Sequence, residues 1–527
     1  MTTSSEEIYD CIIIGSGLAG MTTALSCLDR GAKVVMLEKE AKLGGNSMKA
    51  SSGINAACPI DDGDGTTTVS QQQEIDAFVQ DTKKSAGSQP NAALIEILVN
   101  QSAPALMWLK DRVQVDLLQC KTRLGGHSSK RTFRPVKGAV GYSVMSGMQK
   151  ALEAYHAAES GDGQDPSPPS NKGRLTIMTE IKMTGLVTGE DGKSVIGVTA
   201  TAGPESSSEE TIIQLKSKNI VLATGGFAAD RTKSSLLAQH RPDLLKMPAT
   251  FGDFSTGDGI QLATSTTSSI KAKTCLMDKV QIHPTGFVDP ADPTSPTKFL
   301  CAELLRGIGG ILLNEQGERF CNELGTRDYV VNKMMMQEQQ EKVFYIVLGS
   351  NAAKAGAEHV GFYTWKKLLQ KHTGIQETAQ TMGIPKERLE ATIADYCAAA
   401  SKGAEDAHGK TFFPNLFMDN LQEEEFLVGK VTPVLHYCMG GLSVNPQGKV
   451  LDEDNNVIPG LHAVGEVAGG THGDNRLAGN SLLECLVFGR IIGENLPLQQ
   501  EADETKVVVQ ETTTHSSKVN TRNTECA

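Results

Sequence analysis

A strand, a glycine-rich turn and a helix open this sequence and restrict what it can fold into. Residues 9–14 predict a buried strand, and the turn after them places Gly15, Gly17 and Gly20 before a helix-length stretch that ends near Gly31. In such a turn the first glycine permits a tight bend, the second lets a pyrophosphate approach the backbone, and the third lets the helix lie close to the strand. The phosphates then lie at the helix N-terminus. The pattern predicts a Rossmann-type dinucleotide-binding domain.

The residues beyond this turn indicate which dinucleotide is bound. A second predicted strand, residues 34–37, ends at Glu38, where a carboxylate can accept hydrogen bonds from both ribose hydroxyls. Two distant segments, 223–226 and 460–466, are also glycine-containing and follow or include apolar strand-like runs. This combination resembles the FAD-binding pattern of glutathione-reductase-like flavoproteins, so FAD is favoured over NAD. A second strand-linked GxGxxG is missing from the sequence, so we expect no separate nicotinamide domain.

Composition excludes several classes of partner. A net charge of −12 over 527 residues argues against nucleic acid or an anionic membrane as the main partner. The eleven cysteines are odd in number and contain no CxxC or ferredoxin-like cluster, so we expect no metal site. Residues 1–7 resemble neither a secretory signal nor a transit peptide, and no apolar run approaches the length of a membrane span. We therefore expect a cytoplasmic protein with no nucleic-acid or membrane partner.

Changes of composition along the chain predict two domains. Residues 1–277 are expected to form the first segment of an FAD-binding domain, and residues 433–498 its second segment. Between them, residues 278–432 are richer in Met, Gln and Lys and are expected to form a capping domain that binds substrate. The tail, 499–527, is rich in Thr, Glu and Ser and is expected to be disordered.

Short strand patterns in the first segment predict a small second sheet. They lie at residues 175–183, 186–187, 195–201 and 211–215, and Glu190-Asp191-Gly192 supplies the turn between the middle pair. This sheet should lead back into the predicted strand at 220–222.

A set of ionisable residues that can bind an anion is concentrated in the predicted capping domain. It begins with His283, Glu303, Arg306 and Arg327, and two further members, His436 and Arg476, come later in the chain. Guanidinium groups bind carboxylates through two parallel hydrogen bonds, and imidazoles can also donate to carboxylate oxygens. Such a set suits a small dicarboxylic acid better than a sugar, a sterol or a nucleic acid.

With these pieces in order, the chain resembles the soluble fumarate reductases of the succinate dehydrogenase/fumarate reductase flavoprotein family, especially the single-polypeptide eukaryotic type. The resemblance covers residues 9–495, and its most specific stretches are 49–55, 283–286, 319–323, 327–328 and 472–480. It implies an α/β fold, with a glutathione-reductase-like FAD-binding Rossmann domain and an inserted α+β capping domain.

The resemblance also implies a role for each residue of the anion-binding set. His283, His436 and Arg476 would clamp the two carboxylates of fumarate against the flavin. Hydride would pass from flavin N5 to one alkene carbon, and Arg327 would protonate the other. Glu303 and Arg306 would resupply that proton. An arginine acid is unusual because guanidinium is normally a permanent cation, but here the acceptor is a strongly basic developing carbanion.

The FAD-binding residues implied by the same resemblance come from many separate parts of the chain. Asn46 stands where covalently flavinylated relatives carry the histidine that bonds FAD, so FAD is expected to be bound non-covalently. The full expected set is Gly15, Gly17, Leu18, Ala19, Gly20, Glu38, Lys39, Gly45, Asn46, Ser51, Ser52, Gly53, Ile54, Thr224, Gly225, Gly226, Asp258, His436, Tyr437, Gly465, Glu466, Arg476, Gly479, Asn480, Ser481 and Leu482.

The sequence leaves the electron donor and some alternatives open. No haem, iron–sulfur or nicotinamide motif is present, so the expected donor is reduced FMN or FAD, or a flavin reductase. An L-aspartate oxidase-like enzyme is one alternative, although those enzymes continue with a long helical domain and only a short segment follows Asn480 here. Another enoate reductase of the same fold is a second, and a flavin-bearing fumarate or redox sensor is a third.

Overall fold

The computed structural model describes residues 2–58, 70–156, 173–202, 211–265, 269–339 and 341–498. The predicted disordered tail, 499–527, lies outside these described residues.

A six-stranded sheet forms the centre of the nucleotide-binding part. All its neighbouring strands run parallel except the pair at one edge, which is antiparallel. Its two central strands, Cys11–Ile14 and Ile220–Leu222, are fully buried, which explains why they are apolar in succession rather than alternating. In spatial order the strands are Lys449–Leu451, Val457–Ala463, Ile220–Leu222, Cys11–Ile14, Lys33–Leu37 and Arg174–Met178.

The small second sheet is present, but one predicted strand is divided between two sheets. The stretch predicted as one strand at 175–183 breaks at Glu180, which has a φ of 57°. A positive φ cannot continue a strand, so Arg174–Met178 joins the central sheet and the next strand turns away from it. The four strands of the small sheet are Ile181–Thr188, Val195–Ala202, Thr211–Ser217 and Thr2–Tyr9.

The first and last helices of the described chain pack tightly against each other beside the central sheet. A Cβ added at Gly489 would lie 2.9 Å from Thr22 Cβ, and one added at Gly493 would lie 2.5 Å from Ser26 Cβ. Only glycine allows such a close approach of two backbones. The helices of this part are Leu18–Leu28, Gln71–Ser85, Ala92–Asn100, Ser102–Arg112, Val140–His156, Leu236–His240, Asp258–Thr264 and Asn480–Asn495, with 3₁₀ turns at Gly45–Lys49, Pro242–Leu244 and Gly465–Val467.

A separate antiparallel sheet forms the core of the predicted capping domain. Its strands are Val280–Phe287, Ile311–Leu313, Phe344–Leu348, Gln370–Thr373 and Glu425–Cys438. The helices around it are Glu303–Gly307, Arg327–Met335, Ser350–Ala355, Ala357–Trp365, Gly374–Met382 and Lys386–Ser401. The long last strand runs through the expected boundary at 432, and we propose the two-domain division on the basis of the separate sheets.

Two short three-stranded sheets complete the described structure. One contains Ile54–Asn55, Lys121–Thr122 and Thr132–Phe133, and the other contains Thr274–Cys275, Gly441–Ser443 and Ala468–Gly469. In the described part of the chain no single helix has the length and apolar character needed to cross a membrane, although Ala92–Asn100 and Ser102–Arg112, bent by 41°, would reach that length together.

A buried ion cluster explains one of the specific sequence stretches. Arg319 donates from Nε and Nη2 to the two oxygens of Glu323, at 2.8 and 2.9 Å, and Lys410 Nζ donates to the same carboxylate at 2.8 Å. Glu323 and Lys410 are both fully buried. Burial alone would raise the pKa of Glu323, but Lys410 and Arg319 lower it to about 2. The cluster is therefore charged and holds residues 319–323 against the segment around Lys410.

We expect Lys410→Met to lower the free energy of unfolding by about 3 kcal/mol, because it leaves part of a buried carboxylate charge unpaired. Urea denaturation followed by circular dichroism measures this. The matched control is Lys371→Met, which breaks an exposed pair with Glu425 and should cost no more than about 1 kcal/mol. Equal small losses in both variants would contradict the expectation.

Candidate active site

The three glycines of the N-terminal turn have three different environments. A Cβ added at Gly15, whose φ is 104°, would lie 2.5 Å from the carbonyl oxygen of Ala223, and one at Gly20 would lie 2.1 Å from that of Gly15. Gly17 differs, because its φ of −66° suits any residue and its added Cβ would meet nothing closer than Ser47 Oγ at 3.6 Å. The first and third glycines are thus required by packing, and the second keeps space free beside the N-terminus of helix Leu18–Leu28.

Glu38 lies at the end of the second strand as predicted, and it is tied to the glycine turn. Its Oε2 accepts hydrogen bonds from the backbone N–H and the hydroxyl of Ser16, at 2.9 and 2.5 Å. The next residue, Lys39, donates from Nζ to Asp258 Oδ2 at 2.8 Å and to Thr256 Oγ1 at 2.9 Å. The predicted ribose-binding acid and two further predicted residues therefore form one end of the site.

A cavity of about 750 Å³ runs from this end to the predicted substrate residues. Its wall includes most of the predicted set: Gly15, Gly17, Leu18, Ala19, Glu38, Lys39, Gly45, Asn46, Ser51, Ser52, Gly53, Thr224, Gly225, Asp258, Arg327, His436, Tyr437, Gly465, Glu466, Arg476, Gly479, Ser481 and Leu482. The N-termini of two helices, at Leu18 and Ser481, meet this cavity, and such ends favour anionic groups. The volume of the cavity, the glycine turn and the carboxylate of Glu38 together fit a dinucleotide such as FAD.

Seven predicted residues do not line the cavity but lie behind its wall. Asn480 is fully buried and its Oδ1 accepts from Asn55 Nδ2 at 2.7 Å, so it supports the adjoining loop. Gly226 lies against Glu466, whose Oε1 would be 2.4 Å from an added Cβ. The remaining members behind the wall are Gly20, Ile54, His283, Glu303 and Arg306.

The nitrogen and the oxygen of the Asn46 side-chain amide both form hydrogen bonds within the protein. Nδ2 donates to Ser255 Oγ at 2.7 Å, and Oδ1 accepts the backbone N–H of Gly252 at 2.9 Å. The residue lines the cavity without offering the nucleophilic imidazole of a flavin-bonding histidine.

Arg327 is held in place by two hydrogen bonds at the base of the cavity. Its Nε donates to Glu303 Oε2 at 2.8 Å, and its Nη1 donates to Gln281 Oε1 at 2.7 Å. The other Glu303 oxygen accepts the N–H of Gly125 at 2.8 Å, and Arg306 Nη2 lies 3.6 Å from Oε2. Arg327, Glu303 and Arg306 thus form a continuous buried chain of charged groups.

The charges of this chain depend on one another. Burial by itself would favour the neutral form of Glu303, but the guanidinium groups of Arg327 and Arg306 hold its pKa well below the usual range. Burial lowers the pKa of Arg327, and Glu303 opposes that shift. Glu303 is therefore a carboxylate while Arg327 carries its proton, and it becomes a better proton acceptor if Arg327 loses that proton.

The two predicted histidines contact each other and are neutral. Their ring centroids are 4.9 Å apart, and burial lowers the pKa of His283 to about 3 and that of His436 well below its ordinary value. His283 Nδ1 accepts the N–H of Thr285 at 3.1 Å, so its proton is on Nε2, 3.7 Å from Glu303 Oε2. His436 lines the cavity, and its Nδ1 lies 2.8 Å from Thr250 Oγ1. Each neutral ring has one N–H that donates and one nitrogen that accepts, so neither ring adds positive charge to the site.

Arg476 lines the same cavity as Arg327, and its guanidinium group stacks on an aromatic ring. Its guanidinium carbon lies 4.4 Å from the centroid of the Tyr437 ring, and its side chain is almost fully buried. The amide of Gln281 connects the two arginines, since its Nε2 donates to the carbonyl of Arg476 at 2.7 Å while its Oε1 accepts from Arg327. The fold therefore brings together two guanidinium groups from distant parts of the sequence.

Sequence reasoning missed several residues of the site. Gln281 precedes His283 by two positions on the same strand, but a bulge after Gln281 disturbs the alternation that could have revealed it. His359 donates from Nε2 to the carbonyl of Ser51 at 2.9 Å, and no local motif indicates it. The wall also contains aromatic side chains that no pattern predicted: Phe251, Phe254, Phe299, Phe362 and Tyr363.

Glu466 is the site's acid with a pKa near neutrality. Burial raises its pKa from 4.5 to about 7, although the N–H of Cys438 and the charge of Arg476 act in the opposite direction. The folded protein therefore holds this proton more tightly than the unfolded chain does. The corresponding stability is present below pH 4.5 and is lost as the pH rises towards 7.

In flavin-free protein, we expect Glu466→Gln to raise the melting temperature relative to the parent protein by an amount that grows between pH 4.5 and 7. Thermal unfolding at several pH values measures the difference. Glu494→Gln, at an exposed acid on helix Asn480–Asn495, is the control and should give a difference with little pH dependence. A pH-independent gain in Glu466→Gln would show that the carboxyl titrates normally.

Comparisons with known proteins identify the family. Residues 10–482 match the family model described as an FAD binding domain. The chain is 39% identical to a fumarate reductase of Schizosaccharomyces pombe, over 93% of this chain and 90% of that protein. It is 35% identical to fumarate reductase 1 of Saccharomyces cerevisiae, over 92% and 98% respectively. The open conformation of a flavocytochrome c3 fumarate reductase matches with a TM-score of 0.66 and 29% identity, over 93% of this chain and 78% of that one. The chain belongs to the FAD-binding flavoprotein family that includes the fumarate reductases.

Proposed function

We propose that this protein reduces fumarate to succinate with FAD as its cofactor. The observation that carries the proposal is that two buried guanidinium groups, those of Arg327 and Arg476, line one cavity, with Gln281 hydrogen-bonded to the guanidinium of Arg327 and to the backbone carbonyl of Arg476. Arg476 pairs with no carboxylate among the described residues and can bind one end of a diacid, while Arg327, already paired with Glu303, adds a second positive charge at the same cavity for the other end. The fumarate reductase relatives support the same assignment.

The imidazoles determine how the dianion is oriented. His436 lies at the cavity and is neutral, so it offers a hydrogen bond without adding positive charge. His283 lies behind it, with Nε2 directed towards Glu303 at 3.7 Å. We propose that His436 contacts a substrate carboxylate directly and that His283, instead of touching the substrate as the sequence predicted, packs against the His436 ring from behind the cavity wall. A carboxylate rotated out of the alkene plane would make the alkene more electrophilic.

The chemical step needs one hydride and one proton. FAD held in the cavity beside the glycine turn and Glu38 would, in its reduced form, provide hydride for one alkene carbon. Arg327 donates the proton to the other carbon, and before the transfer its charge stabilises the developing carbanion. The bonds that Arg327 makes to Glu303 and Gln281 hold the guanidinium in place for this role.

The ionised state of Glu303 decides the order of proton movements. While Arg327 is protonated, Glu303 has a strongly lowered pKa and cannot act as an acid. Once Arg327 has given its proton to the product, its positive charge is gone and the pKa of Glu303 rises. Glu303 can then take up a proton from the side of Arg306, whose Nη2 is 3.6 Å away, and return it to Arg327.

We propose that FAD is bound non-covalently, because Asn46 has its amide engaged with Ser255 and Gly252 and offers no imidazole. For the donor we propose reduced FMN or FAD, or a flavin reductase, because the sequence contains no haem, iron–sulfur or nicotinamide motif. Denaturation in acid should release the yellow cofactor into the supernatant. Flavin that stays with the precipitated protein would contradict the non-covalent assignment.

The decisive experiment is anaerobic. The purified flavoprotein is reduced and mixed with fumarate, and the flavin absorbance should return at once with formation of one succinate per flavin. Separate mixing with urocanate should give much slower reoxidation. Aspartate added to the oxidised protein should give little flavin reduction. Reoxidation by another enoate but not by fumarate, or rapid reduction by aspartate, would replace the proposed activity with that of the corresponding relative.

A further inference from the structure

A buried hydrogen-bonded network includes the hydroxyl of Tyr437, the residue on whose ring Arg476 stacks. The hydroxyl of Tyr437 donates to Glu484 Oε2 at 2.5 Å, and His472 Nε2 lies 3.0 Å from the same oxygen. Tyr437, His472 and Glu484 are all nearly inaccessible to solvent, with Glu484 only 1% exposed. Glu484 lies in the second turn of helix Asn480–Asn495, and none of the roles assigned above uses it.

The Glu484 carboxylate is ionised. Burial alone would raise its pKa, but the interactions with His472 and Tyr437 outweigh burial and hold the pKa below the ordinary value. Because the acid accepts rather than donates, Tyr437 and the Nε2 of His472 must both be donors. A phenol that donates to a carboxylate gains electron density on its ring, and this strengthens the attraction between the ring face and a cation.

Arg476 has few other contacts that could hold its charged group. Among the described residues its Nε has no hydrogen-bond partner, and its Nη1 reaches only the carbonyl of Leu477, at 3.5 Å. The described structure records no carboxylate within ion-pair distance of the guanidinium. The face of the Tyr437 ring, 4.4 Å away, is therefore the main contact that determines where this guanidinium lies.

This arrangement avoids a disadvantage that a direct ion pair between Arg476 and a carboxylate of the protein would have. A carboxylate touching Arg476 would hold it firmly but would occupy the N–H groups that a substrate carboxylate needs. Glu484 instead accepts from the Tyr437 hydroxyl, so its negative charge polarises the ring that the guanidinium contacts without touching the guanidinium itself. Arg476 lines the cavity, and its Nε has no hydrogen-bond partner among the described residues.

We propose that Glu484 is a positioning residue that acts through Tyr437 to hold the Arg476 guanidinium ready for a substrate carboxylate. The proposal rests on the proposed function, since it takes Arg476 to be the group that binds one end of the diacid. It assigns Glu484 no contact with substrate or with FAD. Its effect should therefore be on the affinity for the diacid more than on the chemical step.

Two variants separate the parts of the network in the holoenzyme. Glu484→Gln keeps the shape of the side chain and removes its charge, while Tyr437→Phe keeps the ring and removes the bond to Glu484. Each should raise the KM for fumarate, and the dissociation constant of succinate for the oxidised flavoprotein, by about fivefold to twentyfold. The KM should change at least about five times more than kcat. Turnover is measured with reduced methyl viologen and succinate binding by the flavin difference spectrum.

The double variant tests whether Glu484 acts through Tyr437. Breaking the bond at either end removes the same interaction, so Glu484→Gln with Tyr437→Phe should resemble the single variants rather than multiply their effects. Glu494→Gln, an exposed acid on the same helix, is the matched control and should leave both constants unchanged.

The outcomes distinguish this inference from the proposed function. Multiplicative effects, or an unchanged succinate affinity in Tyr437→Phe, overturn the role of Glu484 even if the parent protein reduces fumarate. A parent protein that neither turns over fumarate nor binds succinate overturns both proposals. If Glu484→Gln fails to retain FAD, Tyr437→Phe alone decides, since its ring still fills the same space. Equal losses in kcat and affinity in that variant would indicate a purely structural network.

Discussion

Replacing Arg327 with Gln should reduce kcat for fumarate by at least about 10³-fold, because it removes the proton donor and the charge opposite the developing carbanion together. Gln can still donate one hydrogen bond to Glu303, so the wall of the cavity should keep its shape. FAD content should therefore stay close to that of the parent protein. Anaerobic stopped-flow measurement of flavin reoxidation reports the chemical step directly.

The control for this variant is Arg241→Gln, which removes a partly exposed arginine that pairs with Asp243 and does not line the cavity. It should retain full activity. A second comparison is Glu303→Gln, which leaves the guanidinium in place and removes its proton acceptor. That variant should complete one reduction event in a pre-reduced sample and then turn over slowly. An Arg327→Gln protein with more than about a tenth of the parent rate would assign proton donation to another group.

Replacing Gly17 with Leu should give a folded protein that has lost nearly all its flavin. The backbone at Gly17 has a φ of −66°, which any residue adopts, and an added Cβ meets nothing closer than 3.6 Å within the protein. The new side chain would therefore fill the space beside the N-terminus of helix Leu18–Leu28 where the pyrophosphate is expected. Visible flavin absorbance relative to protein absorbance measures the loss, and circular dichroism measures the fold.

Gly20→Ala is the informative contrast. Its Cβ would lie 2.1 Å from the carbonyl oxygen of Gly15, so the helix would have to move away from the strand. That variant should lose thermal stability as well as flavin, whereas Gly17→Leu should lose flavin alone. If Gly17→Leu kept its flavin, the cofactor would have to lie elsewhere than at the glycine turn.

Much of the fold could be predicted because its signals are local. The strand before Gly15, the acid at Glu38 and the late return of the chain to the nucleotide-binding part are all visible as short patterns, and the family and fold predictions are confirmed. The small sheet was predicted with one error, at 175–183. There a single positive φ at Glu180 divides an apolar run between two sheets, and such a backbone kink leaves no clear mark on composition.

The sequence alone determined the nucleotide-binding turn, the family and the identity of the charged residues, because these depend on residue type and on spacing within a few turns of chain. The tertiary structure determined where each of those residues lies and which neighbours it contacts. It places Arg327 and Arg476 at the cavity and His283, Glu303 and Arg306 behind it, and it joins the two arginines through Gln281. It also stacks Arg476 on the ring of Tyr437, whose hydroxyl donates to Glu484. These relations arise between segments that lie between a few tens of residues and 195 residues apart in the sequence, where only packing determines which side chains meet.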